Sequence, residues 1–592
     1  MSASSKKKLR KEQKVAAATE KQKAAKKEAT KLKIYTATFW ISLVLCVCLV
    51  AGLALKAPIT TLCKKVTTAV VIGDHKLSNV DLSYFYIDSI NEYCNQYSQY
   101  LSYFLDTSKP LDQQQYSEGK TWADAFLDMA IDSAKNTYAL YDAAIAAGHK
   151  LSDDEQKSVN ELYDSMEPTA KNNGYKSVNA YLKAFYGNGA NEKSYCEYYE
   201  VTVMASSYYT KYVSDLKDSY DEPILREYEK DKEYEYSSFS YLSHYLSVDS
   251  FKMGGTKGSD GKVTYSDEEI KAAEKAVEEA AKELAVEGNN TKAKLDAAIE
   301  VLEKKLNEQK AEANKTDDKK EENKTEDKKE DDKSEDKKEE NKKEETVKYS
   351  TATENKDVLY SSVNSVMQEW LRSKDRKAGD ITFLKNTTKT TDKDGKEVET
   401  LKGYYVIVYQ ETNDNTYKLP NIRHILISFK GGTTDTNGNT TYSAAEKEAA
   451  RKEAYAILDK WHAEYGVNTS DLKAGEDAFA ALAEKHSTDP GSNTNGGLYE
   501  EIYPGQMVTA FNDWCFDASR KAGDTDIVDT EYGYHVMYYS GGSDLTYRNY
   551  LVTSAKLQDD VTKWQENLNN SITVDRKNTK FIEGGLVLNS GK

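Results

Sequence analysis

The sequence predicts an α+β protein. A helical N-terminal region is followed by small antiparallel sheets flanked by helices, all behind one transmembrane helix. Three observations carry this reading. Residues 82–232 read as several helices rich in Tyr, Ala and Lys. A motif occurs twice further on, Trp370 to Asp380 (WLRSKDRKAGD) and Trp514 to Asp524 (WCFDASRKAGD), and each copy is followed by strand-like alternation, Gly403 to Tyr409 (GYYVIVY) and Gly533 to Tyr539 (GYHVMYY). Residues 34–55 are apolar or weakly polar throughout and carry no charge.

The composition bounds the function. A chain of 592 residues exceeds one hydrophobic core, so several domains are expected. Hydrophobic residues make up 39% and charged residues 30%, which implies a large solvated portion. A net charge of −17 argues against nucleic-acid binding, which needs a basic face. The six cysteines are too few for a disulfide scaffold. Cys46 and Cys48 fall in the apolar segment, and Cys63, Cys94, Cys196 and Cys515 are scattered single thiols.

Residues 1–33 form a Lys-rich tail. Residues 34–55 are long enough for a helix crossing ~30 Å of hydrocarbon, which takes roughly 20 residues. The positive-inside rule then places the tail in the cytoplasm and everything after residue 55 outside, as a single-pass protein of the cell membrane. A cleaved signal peptide is the alternative. The long basic stretch and the long apolar core favour a retained anchor.

Residues 66–74 read as a short buried strand ending in a turn. Ser78 or Asn79 is placed to cap a helix beginning near Val80. The helical region spans 66–232. Its share of the chain's 44 tyrosines suits both helix-on-helix packing and a half-wet surface that grips unfolded chains. Residues 236–248 supply an opening strand for a first sheet unit over 235–411. That unit carries a charged insertion, 266–347, in place of its middle. Residues 266–310 of the insertion read as a charged helical stretch. Residues 311–347 are almost wholly Lys, Glu, Asp, Asn, Thr and Ser, and have nothing to bury, so disorder is expected. The second sheet unit spans 420–541. A C-terminal helix over 545–572 carries Leu551, Ala555, Leu557, Val561, Trp564 and Leu568 at helical spacing.

Within the second unit, six motifs occur in order. They are Arg423-His424-Ile425-Leu426, His486-Ser487-Thr488-Asp489-Pro490-Gly491-Ser492, Asn495-Gly496-Gly497-Leu498, Gly505-Gln506-Met507 with Phe511 and Phe516, Lys521-Ala522-Gly523-Asp524, and Tyr532-Gly533-Tyr534-His535. Their order, spacing and residue types resemble the parvulin-type peptidyl-prolyl cis/trans isomerases. The strand-turn-helix opening at 66–81 resembles the chaperone region of the SurA and PrsA group of exported foldases.

The resemblance implies an isomerase that needs neither metal nor cofactor. Leu498, Gln506, Met507, Phe511 and Phe516 become the substrate-binding positions, and His424, Asp489, Thr530 and His535 the catalytic ones. On a helix, Met507 and Phe511 share a face, being four apart. The two histidines match the family's paired central histidines. They set the polarity around the amide, with Asp489 near the substrate carbonyl. In the first unit Tyr405 stands where His535 stands in the second and the Met-Phe motif is missing, so that unit is expected to be inactive. The C-terminal helix is expected to pack back onto the helical region. The implied partners are unfolded exported polypeptides with X-Pro bonds, and the membrane through one N-terminal helix. The sequence neither requires nor forbids a homo-oligomer.

Plainer readings compete. A histidine in a sheet is commonly a satisfied core residue, and the pair carries no ligand spacing for zinc. His486, Ser487 and Asp489 lie too close together for a hydrolase triad, and no nucleophile elbow surrounds Ser487. A single lysine, Lys430, in the loop after the first strand is a poor phosphate clamp, so no phosphate requirement is expected. Two rival functions remain: a holdase whose sheet units only bind, and a cell-surface spacer, which leaves the motif order unexplained.

Overall fold

The computed structural model describes residues 57–588, apart from 259–260, 323–350, 392, 394, 437 and 467–470. The basic tail and the apolar segment 34–55 lie outside the described residues. Among the described residues, no helix is long and apolar enough to cross a membrane. The chain divides into two units. One holds residues up to Asp221 and again from Ala555, and the other is Glu222–Ser554.

The first unit opens with α1 (Ala57–Val66), β1 (Thr68–Ile72) and β2 (His75–Ser78). Gly73, at φ +54°, makes the turn between the strands. Helix α2 (Asn79–Gln96) starts where the sequence indicates. Ser78 Oγ accepts from the Val80 and Asp81 amides, and Asp81 accepts from the Ser78 amide, completing a capping box. Asn79 is buried instead, and its amide donates to the carbonyls of Thr67 and Asn578. Helices α3 (Trp122–Ala146), α4 (Val178–Tyr186) and α5 (Glu192–Asp218) join the bundle, with shorter helices over Asp153–Asn160 and Leu162–Asn172 between α3 and α4.

Tyrosines form much of this core. Tyr84, Tyr186 and Tyr195 are buried with ring centroids about 5 Å apart. Tyr198 OH donates to Asp88 at 2.6 Å. The C-terminal helix, Tyr547–Ser571, brings Trp564 onto Tyr212 at 3.8 Å between ring centroids, and Asp560 accepts from Tyr220 OH. It thus packs on the helical region as expected. The chain then adds a strand the sequence reading lacked. Val574–Arg576 pairs antiparallel with β1, giving a three-stranded sheet, and Ile572, Ile582 and Leu586 pack into the same core.

The second unit contains two four-stranded antiparallel sheets in succession. The first is built from β3 (Ser238–Ser247), β4 (Thr353–Leu359), β5 (Ile381–Thr391) and β6 (Glu397–Asn413), in the order β4-β3-β6-β5. Its helices are α6 (Asp267–Leu284), α7 (Lys292–Glu322) and α8 (Ser365–Leu371). The second is built from β7 (Lys418–Ser428), β8 (Leu498–Tyr499), β9 (Thr525–Thr530) and β10 (Gly533–Thr546), in the order β8-β7-β10-β9. Its helices are α9 (Ala444–Tyr465), α10 (Leu472–His486) and α11 (Thr509–Cys515).

The repeat seen in the sequence is therefore a repeat of topology. The match extends to detail. Gly403 faces Ser247 and Gly533 faces Ser428. A Cβ at Gly403 or Gly533 would lie 2.0 or 2.2 Å from a carbonyl oxygen of the neighbouring strand. Arg376 covers Trp370 as Arg520 covers Trp514. A further echo went unread in the sequence: Gly254-Gly255-Thr256 with Thr264-Tyr265-Ser266 matches Gly431-Gly432-Thr433 with Thr441-Tyr442-Ser443. Each run forms a short hairpin, closed by Glu269 on Gly255 and Ser266 in one, and by Glu446 on Gly432 and Ser443 in the other.

The expected disordered insertion over 266–347 is corrected. Residues 267–284 and 292–322 are helical, and the middle of the first sheet is retained. Ala273, Val277, Ala280 and Leu284, then Leu295, Ile299, Leu302 and Leu306, recur on one face among the charges and bury against Leu242, Leu246, Val406 and Val408. Residues 323–350 lie outside the described residues.

Candidate active site

The site is built on adjacent strands of the second sheet. On β7 and β10, Leu426 faces His535 and His424 faces Met537, so the two histidines are diagonal neighbours. Both are buried, and their rings lie nearly parallel, 5.2 Å apart. Their Nδ1 atoms approach to 3.0 Å. Phe511 stands edge-on to both rings at 5.3 Å.

The loop after α10 carries Asp489 to this pair because it docks along the edge of β7. The Leu426 amide donates to Ser487 Oγ, and the Thr488 amide and hydroxyl both donate to the Leu426 carbonyl. Two residues back along β7, the His424 amide donates to the Gly497 carbonyl at 2.9 Å. Gly497 has φ +73°, and a Cβ there would lie 2.2 Å from the His424 carbonyl oxygen. Arg423 fastens the same loop, donating to the carbonyls of Asn495 and Gly496 and to Glu476.

Asp489 Oδ2 lies 3.0 Å from His424 Nε2 and accepts from Ser492 Oγ at 2.6 Å and Tyr499 OH at 3.0 Å. At the other end, Thr530 Oγ1 lies 2.8 Å from His535 Nε2. The His424 hydrogen bond, helped by Ser492 and Tyr499, holds the Asp489 carboxyl well below the usual carboxylate range despite partial burial. Burial, with His424 alongside, pushes His535 down to about 3. Burial and then Asp489 push Tyr499 up to about 12.

These contacts orient the protons. An ionised carboxylate only accepts, and Ser492 spends its one hydrogen on it. His424 Nε2, facing both, carries a proton. His424 Nδ1 and His535 Nδ1 share one proton across their contact, and Thr530 Oγ1, which also donates to the Gly533 carbonyl at 3.3 Å, meets His535 Nε2 at the far end. The result is one continuous chain linking Thr530, His535, His424 and Asp489. It offers no activated nucleophile.

Beside the chain, Phe511 joins buried Ile422, Ile502 and Met537, with half-buried Met507, Phe516 and Tyr499 packed around them. Met507 precedes α11, so it does not share a helix face with Phe511; the two meet as neighbours in this cluster instead. Leu498 is half-buried on β8 opposite Arg423 and is not a member of the cluster. Gln506 is exposed, and its Oε1 accepts from the Tyr503 amide, closing the loop before α11. The structure thus brings together His424, Asp489, Thr530, His535, Met507, Phe511 and Phe516, with Leu498 and Gln506 at the margin. Ser492 and Tyr499 were missed as site residues, although they stand within or next to the quoted motifs. Lys430 pairs with Glu453 at 3.6 Å.

In the first sheet the same register puts Ser243 at the position of His424 and Tyr405 at that of His535. Counting back from the paired tryptophans puts Val363 and Met367 at the positions of Met507 and Phe511. Tyr405 OH accepts from Asn364 and its ring rests on Tyr245. Among the described residues, no group of His, Cys, Asp and Glu side chains is arranged to hold a metal ion.

Comparison with known proteins agrees with this geometry. Residues 424–541 match the Rotamase family, described as a PPIC-type PPIASE domain. The chain is 33% identical over 164 residues to the foldase protein PrsA of Geobacillus sp. (strain WCH70), covering 26% of this chain and 57% of that one. It is 30% identical over 152 residues to foldase protein PrsA 1 of Listeria innocua, covering 26% of this chain and 43% of that one. The chain therefore spans about half the length of these relatives. The solved structure of the peptidylprolyl isomerase PrsA from Bacillus cereus is similar over 29% of this chain and 56% of that one, at 22% identity and a TM-score of 0.16. The second sheet unit is a parvulin-type rotamase domain.

Proposed function

We propose that this chain, built around a parvulin-type domain, is a membrane-anchored extracytoplasmic foldase. It isomerises X-Pro bonds in unfolded exported polypeptides and holds those polypeptides with its helical unit. The observation that carries the reading is the continuous match at 424–541 coinciding with a buried histidine pair beside an apolar cluster. The apolar segment 34–55 behind a Lys-rich tail supports the anchor and the single-pass orientation.

The chemistry asked of the site is modest. The X-Pro bond rotates over a barrier of ~18–20 kcal/mol because resonance gives C–N partial double character. Catalysis needs preferential binding of the twisted amide, in which that resonance and its charge separation are lost. Met507, Phe511 and Phe516 hold the proline ring, and Leu498 and Gln506 contact the chain on either side. The Thr530–His535–His424–Asp489 chain fixes the polarity next to the amide and keeps both rings in one orientation. A water-poor, preorganised surface of this kind favours the less polar twisted state. Asp489, already engaged by three donors, acts by positioning His424 and does not attack.

The test is isomerisation of an unphosphorylated Ala-Pro peptide by the full chain. The controls are Met507→Ala alone and Met507→Ala with Phe511→Ala, each checked for fold by circular dichroism. Catalysis that the folded controls lose supports the reading. No catalysis by the folded full chain removes it. A catalytically silent holdase then takes its place, a reading favoured by Ser243 and Tyr405 in the first sheet, where the histidine pair has been replaced.

A further inference from the structure

Residues 93–105 of the helical unit contain no charged residue, in a chain where 30% of residues are charged. Five of the run are aromatic: Tyr93, Tyr97, Tyr100, Tyr103 and Phe104. The run leaves the end of α2 and forms one helical turn, Leu101–Phe104. That turn sorts its side chains by helical spacing. Leu101 packs on the core and Leu105 is buried in it. Tyr100, Tyr103 and Phe104 take the other side and are 60%, 82% and 56% exposed. Among the described residues, Phe104 is the one phenylalanine left exposed.

This surface rests on a firm base. Tyr93 packs against Trp122 and Phe126 at 5.3 and 5.5 Å, Tyr97 lies 4.6 Å from Tyr93, and Phe104 lies 6.4 Å from Tyr97. Exposed Tyr116 stands edge-on to Trp122 at 4.8 Å and widens it. Charge resumes at Asp106, which is already paired with Lys109 at 2.8 Å. Rings with an apolar body and a polar hydroxyl collect where water meets hydrocarbon, at the level of lipid headgroups.

The same loop is tied to the start of the unit. The apolar segment 34–55 ends two residues before Ala57, and α1 runs only about 10 Å from Ala57 to Lys64. Lys64 Nζ donates to Glu583 Oε1 at 2.6 Å. The residues just beyond Glu583 are laid on the loop by main-chain hydrogen bonds, Asp112 N to Gly584 O at 3.0 Å and Leu111 N to Leu586 O at 2.9 Å. A short path of direct contacts thus joins the end of the anchor to the loop that carries the aromatic surface.

We infer that Tyr100, Tyr103, Phe104 and Tyr116 seat the helical unit on the extracytoplasmic leaflet of the bilayer, with their rings at headgroup level. A protein of net charge −17 is repelled by an anionic lipid surface, so an uncharged aromatic contact is the kind that suits it. The inference rests on the proposed membrane anchor and on nothing in the isomerase chemistry.

A fluorescent probe at one residue reads the contact. Tyr103→dansylalanine is introduced into the full chain, one chain per phosphatidylcholine nanodisc, with and without bromine on the lipid acyl chains. Ile145→dansylalanine is the reference, because Ile145 is 54% exposed and lies about 35 Å along α3 from Trp122. Rings seated ~5–10 Å deep bring position 103 within reach of the bromine, so its emission is expected to fall about twofold, in low and high salt alike, while position 145 is unchanged. Tyr100→Ser with Phe104→Ser is expected to abolish the quenching and to leave circular dichroism and isomerisation of the Ala-Pro peptide unchanged. No quenching at position 103, in a chain that still elutes with the disc, overturns the inference and leaves the anchor standing. A chain that elutes apart from the disc removes the anchor and the inference together. Equal quenching at both positions also overturns it, since the aromatic surface would then have no special place on the lipid. So does a blue shift at position 103 without quenching. Seen only with two chains per disc, that shift assigns the surface to a second copy; seen only on adding reduced, carboxymethylated lactalbumin, it assigns the surface to unfolded polypeptide.

Discussion

His424 and His535 meet Nδ1 to Nδ1 at 3.0 Å, an approach two rings make only if one nitrogen carries a proton and the other does not. The contact couples Thr530 at one end to Asp489 at the other. Asp489→Asn replaces an acceptor-only group by one that also donates, and so disorders the proton chain without changing its volume. Expected is a loss of about 10–100-fold in kcat/KM with the fold intact, whereas Thr530→Ser, which keeps the hydroxyl, stays near wild type. Kinetics on the Ala-Pro peptide decide this, and an Asp489→Asn enzyme at full activity would refute the positioning role.

The two units are expected to respond oppositely to pH. In the second, His535 is held near 3 in the fold against about 6.5 unfolded, and Asp489 is held below its unfolded value. Both groups bind more protons unfolded, so their stabilisation is present at neutral pH and is lost as pH falls from about 6.5 downward. In the first unit, burial raises Asp88 to about 6 even though Tyr198 and Tyr186 donate to it. That group binds more protons folded, so its stabilisation is full below about 3.8 and lost as pH rises through about 6. Asp88→Asn is therefore expected to raise the unfolding midpoint of the first unit at pH 7.5, with the gain shrinking toward pH 4. Calorimetry at both pH values checks the sign.

The backbone at Gly497 is as demanding as any side chain in the site. Its positive φ and the 2.2 Å approach to the His424 carbonyl leave no room for a methyl group. Gly497→Ala is expected to cost upward of ~1 kcal/mol from φ alone, with the displaced strand adding to it. Because the strand that shifts is the one carrying His424, activity is expected to fall together with stability. Denaturant unfolding and peptide kinetics on the same sample test the coupling.

Catalysis is expected from the second sheet alone. The first keeps the strand order, the glycine contacts and the arginine over tryptophan, but has Ser243 and Tyr405 in place of the ring pair. His535→Ala in the full chain is therefore expected to abolish most isomerisation. Residual activity lost only on altering Met367 or Tyr405 would show the first sheet to be active.

Much of the site was legible because local motifs carry it. His424, Asp489 and His535 sit in short runs whose neighbours also set the backbone, Gly497 among them. What escaped depends on partners distant in sequence or on a competing signal. Val574–Arg576 is a strand only because β1, some five hundred residues earlier, supplies its hydrogen bonds. Leu295, Ile299, Leu302 and Leu306 already showed helical spacing, but the surrounding charge masked a face that becomes apolar core once the sheet is present. Met507 looked helical by its distance from Phe511, and only the observed start of α11 at Thr509 separates them.

The start of the C-terminal helix depends on one buried charge. Arg548, 8% exposed, donates to Glu229, 5% exposed, at 2.8 Å, and also to the carbonyls of Asp414 and Glu233. Breaking such a pair from one side strands the other charge in a poorly solvating place and costs about 3–5 kcal/mol, whereas replacing both partners by apolar residues is far milder. Glu229→Leu is therefore expected to destabilise strongly, and more so because Arg226 also leans on Glu229. Glu229→Leu with Arg548→Met is expected to recover a large part of the loss. A double-mutant cycle by denaturant unfolding gives the coupling directly. A double variant no better than Glu229→Leu would mean that the two carbonyl contacts of Arg548, rather than the ion pair, hold the helix in place.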